Sequence, residues 1–156
     1  MTHQGSRQQT SPWLLGCFVI NFPRSHPSMK AKPTVLIIED DPTTRKVLTG
    51  GLAVAAIPVH LASSAEEASD ILAEKTIDLI VTDLMMPQFN GVDLIQAVRA
   101  APHTKHIPIL VFTSGGNLEL MEKAMQAGAN EICQKHNTPP AKLVEKILQL
   151  HESGGR

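Results

Sequence analysis

The sequence predicts an α/β fold, a parallel sheet doubly wound by helices on both faces, and three observations lead there. Five short β-branched runs recur from Thr34 onward. An amphipathic stretch of helical period follows each of them. The first run, Val35 to Ile38 in "VLIIEDDPTTRKVL", is apolar without alternation, the pattern of a strand covered on both faces. Strands alternating with helices imply parallel pairing through right-handed crossovers.

In order, strands are expected at 34–39, 57–62, 77–83, 107–113 and 130–135. Helices are expected at 42–55, 64–75, 91–101, 117–127 and 138–151. Asp41 falls at the start of the first helix, where a carboxylate complements the macrodipole. The second helix opens on Ser64 with Glu67 three places on, the spacing of a capping box. The fourth ends in "AGA", 127–129, with Gly128 placed for a left-handed C-cap. Leu143, Ile147 and Leu150 form the core stripe of the last.

Composition narrows the function. At 156 residues, 42% apolar and a net charge of −1, the chain fits one globular domain with a sizeable core. It has no basic stripe interleaved with aromatics, which argues against nucleic acid as a partner. Cys17 and Cys133, two isolated cysteines, exclude a disulfide scaffold or zinc site and suit a reducing, cytoplasmic setting. Residues 1–32 read as a disordered or loosely attached extension, and the patterned domain as 33–152. Within the extension, "WLLGCFVINF", 13–22, is far short of the roughly 20 residues that span a bilayer, so no membrane is expected. Although "LLGC" resembles a lipoprotein cleavage box, only three apolar residues precede Cys17, where a signal core needs about 7–15. Met29, just before the patterned region, offers an alternative start. Only "HESGGR" follows the last helix, so a domain without an output module is expected.

The chemistry gathers at strand ends. Glu39 and Asp40 end the first strand, Asp83 the third, Thr113 the fourth and Lys135 the fifth. In a doubly wound sheet such groups converge beyond the carboxyl edge. Adjacent carboxylates raise one another's pKa and need a cation. Oxygen donors without histidine suit Mg²⁺ before Zn²⁺. A carboxylate, ionised at neutral pH with a reference pKa near 3.9, also serves as a nucleophile without a general base. A metal, an ammonium and a hydroxyl around it would stabilise a transferring phosphoryl group. His103 and His106 in "PHTKHIP" suggest a metal pair, but a proline-flanked loop argues for exposure to solvent.

Over about 33–150, "IIEDD", "VTDLMMPQFNG", "ILVFTS" and "GANEICQK" resemble the receiver domain of two-component response regulators. The resemblance implies a flavodoxin-like (βα)5 sheet in strand order 2-1-3-4-5 and a phosphoryl group accepted from a sensor histidine kinase or phosphotransfer protein. It implies that Asp83 is the phosphoacceptor and Asp40 a direct Mg²⁺ ligand. Glu39 would hold the metal through water, and Met85 would offer its backbone carbonyl. Thr113 would move towards the phosphoryl group and Lys135 would bind it. A downstream target protein and a monomer or weak dimer complete the expectation. Singly, each of these residues has a bland alternative as a helix-approach carboxylate, a strand-end hydroxyl or a solvated lysine; five at the required strand ends outweigh it.

The chain departs from the family in two places. His136 and Asn137 follow the lysine where Pro and an aromatic are usual, so a cis X–Pro bond is not expected. Ile132 stands where many receivers carry a mobile Tyr or Phe, which shifts the expected switching to the "TSGG" loop, 113–116. The altered "KHN", 135–137, favours a competing role as a pseudo-receiver that binds partners without phosphorylation, whereas Asp83, Asp40 and Lys135 favour phosphotransfer. A haloacid-dehalogenase-like phosphatase would need an Asp two places after the nucleophile, and Met85 stands there.

Overall fold

The computed structural model describes residues 31–115 and 117–154; the expectations for 1–30 and for Gly116 lie outside the described residues. Strands β1 (Val35–Ile38), β2 (Val59–Ala62), β3 (Leu79–Thr82), β4 (Ile109–Thr113) and β5 (Glu131–Gln134) form one parallel sheet. Their order is β2-β1-β3-β4-β5, the doubly wound, flavodoxin-like order. Helices α1 (Pro42–Val54), α2 (Ala65–Glu74), α3 (Gly91–Ala100), α4 (Leu118–Ala127) and α5 (Pro140–Glu152) fill the crossovers.

Strand pleating sends alternate side chains to opposite faces, and here both faces are covered. Leu36, Ile38, Ile80, Ile109 and Val111 pack under α2, α3 and α4 with Ala68, Ile95, Val98 and Ala124. Val35, Ile37, Leu79, Val81, Leu110 and Phe112 pack under α1 and α5 with Leu48, Leu52, Leu143 and Ile147. That is why the three central strands, β1, β3 and β4, read as nearly unbroken apolar runs. Each buried Val, Leu or Ile contributes about 1.5–3 kcal/mol, so the sheet is a rigid platform.

The strands begin later than expected. Ile57 and Ile107 are 4% exposed, yet neither joins a ladder, because Pro58 and Pro108 follow and offer no N–H. Before β3, Asp78 stands in for ladder pairing: its N–H donates to the Thr34 carbonyl and its carboxylate accepts from the Thr34 N–H at 2.8 Å. Two short elements are unexpected, and the second begins at Lys135, the expected last residue of the fifth strand. Met85–Met86 pairs with Phe89–Asn90 as an antiparallel ribbon, and Lys135–Asn137 forms a 3₁₀ turn. Segments of two or three residues carry too little periodicity to be read from sequence.

Caps form largely as their residues imply. Asp41 caps α1, accepting from Thr44 N–H at 2.6 Å. Glu67 N–H donates to Ser64 Oγ at 3.2 Å, but the Glu67 carboxylate returns to Ser63, whose N–H and hydroxyl it accepts at 2.7 and 2.8 Å. Gly128 ends α4 with φ of 114°. Beside it the Arg99 guanidinium donates to the carbonyls of Gly128, Lys105 and Ile107 and to Asn130 Oδ1, tying α3 to the ends of its neighbours.

Gly91 is needed for a close approach to backbone. A Cβ on Gly91 would lie 2.5 Å from the Asp83 carbonyl oxygen and 2.7 Å from Leu84 Cα, both backbone atoms. Gly50, within α1, has nothing within 4 Å of a new Cβ. Gly91→Ala is therefore expected to cost about 1–3 kcal/mol in urea unfolding, whereas Gly50→Ala should be neutral or stabilising by up to about 1 kcal/mol. Equal losses at both positions would count against the close-approach explanation.

Candidate functional site

Register builds the site. Ile38 lies opposite Thr82, so the next residues, Glu39 and Asp83, emerge side by side at the carboxyl edge. The Asp83 N–H donates to the Ile38 carbonyl at 3.2 Å, which fixes this abutment. Both side chains are buried, at 2% and 4% exposed. Thr113 is paired with Gln134, so Lys135 leaves β5 one position beyond Thr113. Two strand spacings, about 10 Å, separate β5 from β3, and only a long side chain bridges them. Lys135 does so. Its Nζ donates to Glu39 Oε2 at 2.6 Å and to Asp83 Oδ2 at 2.7 Å. On the way the ammonium passes 5.9 Å from the centroid of the Phe112 ring, a favourable cation–π separation.

The remaining carboxylate oxygens are also engaged. Glu39 Oε1 accepts the Asp41 N–H at 3.0 Å, and Asp83 Oδ1 accepts the Met85 N–H at 3.1 Å. Among the described residues no buried side-chain nitrogen or oxygen is left without a partner. Burial pushes the Glu39 carboxyl above its ordinary 4.5, against the opposing pull of the Lys135 hydrogen bond. Burial alone would lower the Lys135 ammonium, but its bonds and charge pairing with Asp83 and Glu39 outweigh this and raise it above 10.5.

The structure thus joins Glu39, Asp83 and Lys135 directly and holds two other expected residues apart from that bonded group. Asp40 is half-buried, makes no hydrogen bond or ion pair to a described residue, and lines a cleft of about 360 Å³ with Ser63, Ser64, Met86, Pro87, Gln88 and Phe89. Thr113 is fully buried and its hydroxyl donates to the Gly115 carbonyl at 2.8 Å, within its own loop. The Met85 side chain is 58% exposed beside Asp83. His103 and His106 are both exposed, and no group of three His, Cys, Asp or Glu among the described residues forms a metal cage.

That last fact bears on which metal the donors suit. Mg²⁺ takes one or two carboxylates and keeps several waters, so it needs no all-protein cage. Asp40, whose carboxylate pairs with no described residue, and Asp83 at the same carboxyl edge are both oxygen donors of the kind such an ion takes. Sequence reasoning missed Phe112 as the shelf under Lys135, although its place next to Thr113 in "VFTS" was a usable signal. Ile132 is half-buried and packs on the α3 and α4 side of the core, and the peptide bonds of the described residues are all trans.

Removing the lysine tests the charge balance. Lys135→Met would leave two buried carboxylates without their cation, a loss expected near 3 kcal/mol at neutral pH, the lower end for a broken buried pair. The penalty weakens with acid. Because burial raises the Glu39 value, this group takes up its proton at a higher pH than an ordinary carboxyl, and the penalty of the variant should shrink as pH falls towards 4.5. Urea unfolding of both proteins at the two pH values reads this; a penalty that grows with acid would overturn it.

Residues 35–148 match the response regulator receiver domain family. The chain is 33% identical to the chemotaxis protein CheY of Pseudomonas aeruginosa, covering 76% of this chain and 95% of that protein. It is 35% identical to the transcriptional regulatory protein CusR of Escherichia coli, but the match spans 44% of that longer protein and 65% of this one. Among solved structures, the receiver domain of a Pseudomonas aeruginosa sensor histidine kinase superposes with a TM-score of 0.70 at 23% identity, covering 78% of this chain and 99% of that one. That structure holds a magnesium ion coordinated in its active-site cleft. By the extent of the match and the strand order that accompanies it, the chain belongs to the response regulator receiver domain family.

Proposed function

We propose that the domain accepts a phosphoryl group on Asp83 from a sensor histidine kinase or phosphotransfer protein, with Mg²⁺. It then signals by contact with a downstream target protein or passes the group on through a phosphorelay. The observation that carries this is the Lys135 ammonium, held 2.7 Å from Asp83 Oδ2 at the carboxyl edge of the sheet. There it neutralises charge that grows on the transferred group.

In the transfer, an Asp83 carboxylate oxygen attacks the phosphorus of the donor phosphohistidine. The new O–P bond forms as the P–N bond breaks, and the imidazole nitrogen leaves with the electron pair. Lys135 exchanges its bond to Asp83 for one to a phosphoryl oxygen. The Thr113 hydroxyl, which donates to Gly115 in this state, would turn to another, releasing the loop. Asp40, Asp83 and the Met85 carbonyl would hold Mg²⁺, with Glu39 acting through water, and the ion would offset the charge of the three carboxylates. Lys135 beside Asp83 supports this over a pseudo-receiver, since a pure binding module has no use for a buried ammonium and carboxylate at that edge. We take the activity to reside in 33–152, in a cytoplasmic monomer or weak dimer that binds no nucleic acid. No helix among the described residues is long and apolar enough to cross a membrane.

Two predictions test the proposal. With acetyl phosphate and Mg²⁺, intact mass should rise by one phosphoryl group in the wild type and not in Asp83→Asn, and Asp40→Ala should abolish Mg²⁺ binding. Labelling that persists in Asp83→Asn would overturn the assignment.

The phosphoryl state should also last minutes or longer. Met85 and Gly115, two places after Asp83 and Thr113, have no side chain that can orient an attacking water. Such help is worth about 10²–10⁴-fold, so Met85→Asn or Gly115→Glu should speed the loss of label. Decay within seconds in the wild type would count against the water-orientation argument, as would decay unchanged by both substitutions.

A further inference from the structure

The helix layers leave an opening on one side. Between α2 and α3 runs a groove of about 490 Å³ whose lining includes Leu72, Ala73, Phe89, Leu94, Ala97 and Ala101. Ala97 and Ala101 present only methyl groups, so the groove is wide and apolar where a larger side chain would have closed it. Its α2 wall is acidic: the helix carries Glu66, Glu67, Asp70 and Glu74 and no basic residue, and Glu66 itself lines the groove.

The chain preceding Ala31 has the complementary composition. Residues 1–30 hold Arg7, Arg24 and Lys30 and no Asp or Glu, so the rest of the chain carries eleven basic and fifteen acidic residues. Within it, eight of the ten residues of 13–22 are apolar: Trp13, Leu14, Leu15, Cys17, Phe18, Val19, Ile20 and Phe22. Arg24 follows two places later. An apolar stretch flanked by cations suits an apolar groove lined by Glu66 and bordered by an acidic helix.

The distances allow it. Ala31 lies at the floor of the sheet, its carbonyl 3.2 Å from His151 Nε2 at the end of α5, and Thr34 is tied to Asp78 just before β3. Because α2 and α3 run against the strands, the groove end at Ala73 and Ala101 opens towards that same floor. The eight residues 23–30 span up to about 26–29 Å, close to the width of a small domain. Ten residues cover about 15 Å as a helix or 33 Å extended, and α2, the groove wall, is ten residues long.

We propose that residues 13–22 dock in cis in the groove between α2 and α3. Docked there, the segment lies against Phe89, which also lines the cleft that holds Asp40. The extension is then an arm of the domain that sits beside its functional cleft.

Trp13 is the one tryptophan in the chain and there is no tyrosine, so intrinsic emission reports this segment alone. In the full chain, Trp13 emission should be blue-shifted and several-fold less sensitive to acrylamide than in Ala97→Arg, which places a charge in the groove. Glu145→Arg, on exposed α5 across the sheet, should change neither. If Ala97→Arg does not fold, a thiol pair decides. Cys133 is buried, which leaves Cys17 as the reactive partner of the thiol introduced by Ala97→Cys. Under mild oxidation an intramolecular disulfide, read by intact mass, should form several-fold faster than with Glu145→Cys. Equal quenching in all three proteins would overturn the proposal, as would equal crosslinking at the two positions. Emission that shifts with protein concentration, or disulfides between copies, would overturn docking in cis in favour of exchange between two chains.

Discussion

One ammonium between two buried carboxylates organises this domain. Glu39 and Asp83 are each almost wholly buried, and register forces them side by side at the ends of β1 and β3. Without a cation they would repel one another in a poorly solvated place. Lys135 reaches across β4 to bond both, at 2.6 and 2.7 Å, with Phe112 beneath it. Such buried pairs are weak contributors to stability compared with apolar packing of the same volume. Their presence therefore points to chemistry rather than stability: a carboxylate kept close to a cation, as the proposed phosphoryl transfer requires.

The rest of the fold supplies what that contact requires. A sheet covered on both faces cannot flex to relieve the repulsion, so the strand ends keep their spacing. Gly91 lets α3 approach the backbone of Asp83 and Leu84, where any side chain would collide. Asn90 caps α3 by accepting the Val92 N–H at 2.9 Å, and the Met85–Met86 ribbon steadies the loop between. Asp83 is thus held from both sides: by β1 through its N–H and by the Met85 N–H on its carboxylate. Asp40 lines the cleft and pairs with no described residue.

The departures from the family pattern have a local structural answer. His136 and Asn137, which replace Pro and an aromatic, complete a 3₁₀ turn with Lys135, so the lysine is oriented without a proline. Ile132 is branched and half-buried against the core, with no polar tip to exchange between inside and outside. Under the proposed function the polar group that would respond is the Thr113 hydroxyl, which is bonded to the Gly115 carbonyl. Switching that begins there would reach α4 through backbone rather than through an aromatic rotamer.

The sequence by itself determined the fold class and the composition of the site. Five apolar runs with helices between them leave few arrangements open, because parallel strands need crossovers and each face must be covered. The carboxylates, the hydroxyl and the lysine were legible because each falls at a strand end, and strand ends share an edge. Gly128, Ser64 and Asp41 could be placed because their roles depend on local backbone alone. Tertiary structure decided the pairing within the site. That Lys135 bonds Glu39 as well as Asp83, that Asp40 stays unpaired, and that Thr113 turns to Gly115 all depend on register and side-chain reach between distant segments. The late starts of β2 and β4 follow from Pro58 and Pro108, where burial continues but the ladder cannot. Nothing in the neighbouring residues singles out Arg99, and only the convergence of four oxygen acceptors from neighbouring elements makes it a clamp. Local chemistry is written in neighbouring residues; contacts between segments far apart in sequence exist only once the sheet has brought their ends together.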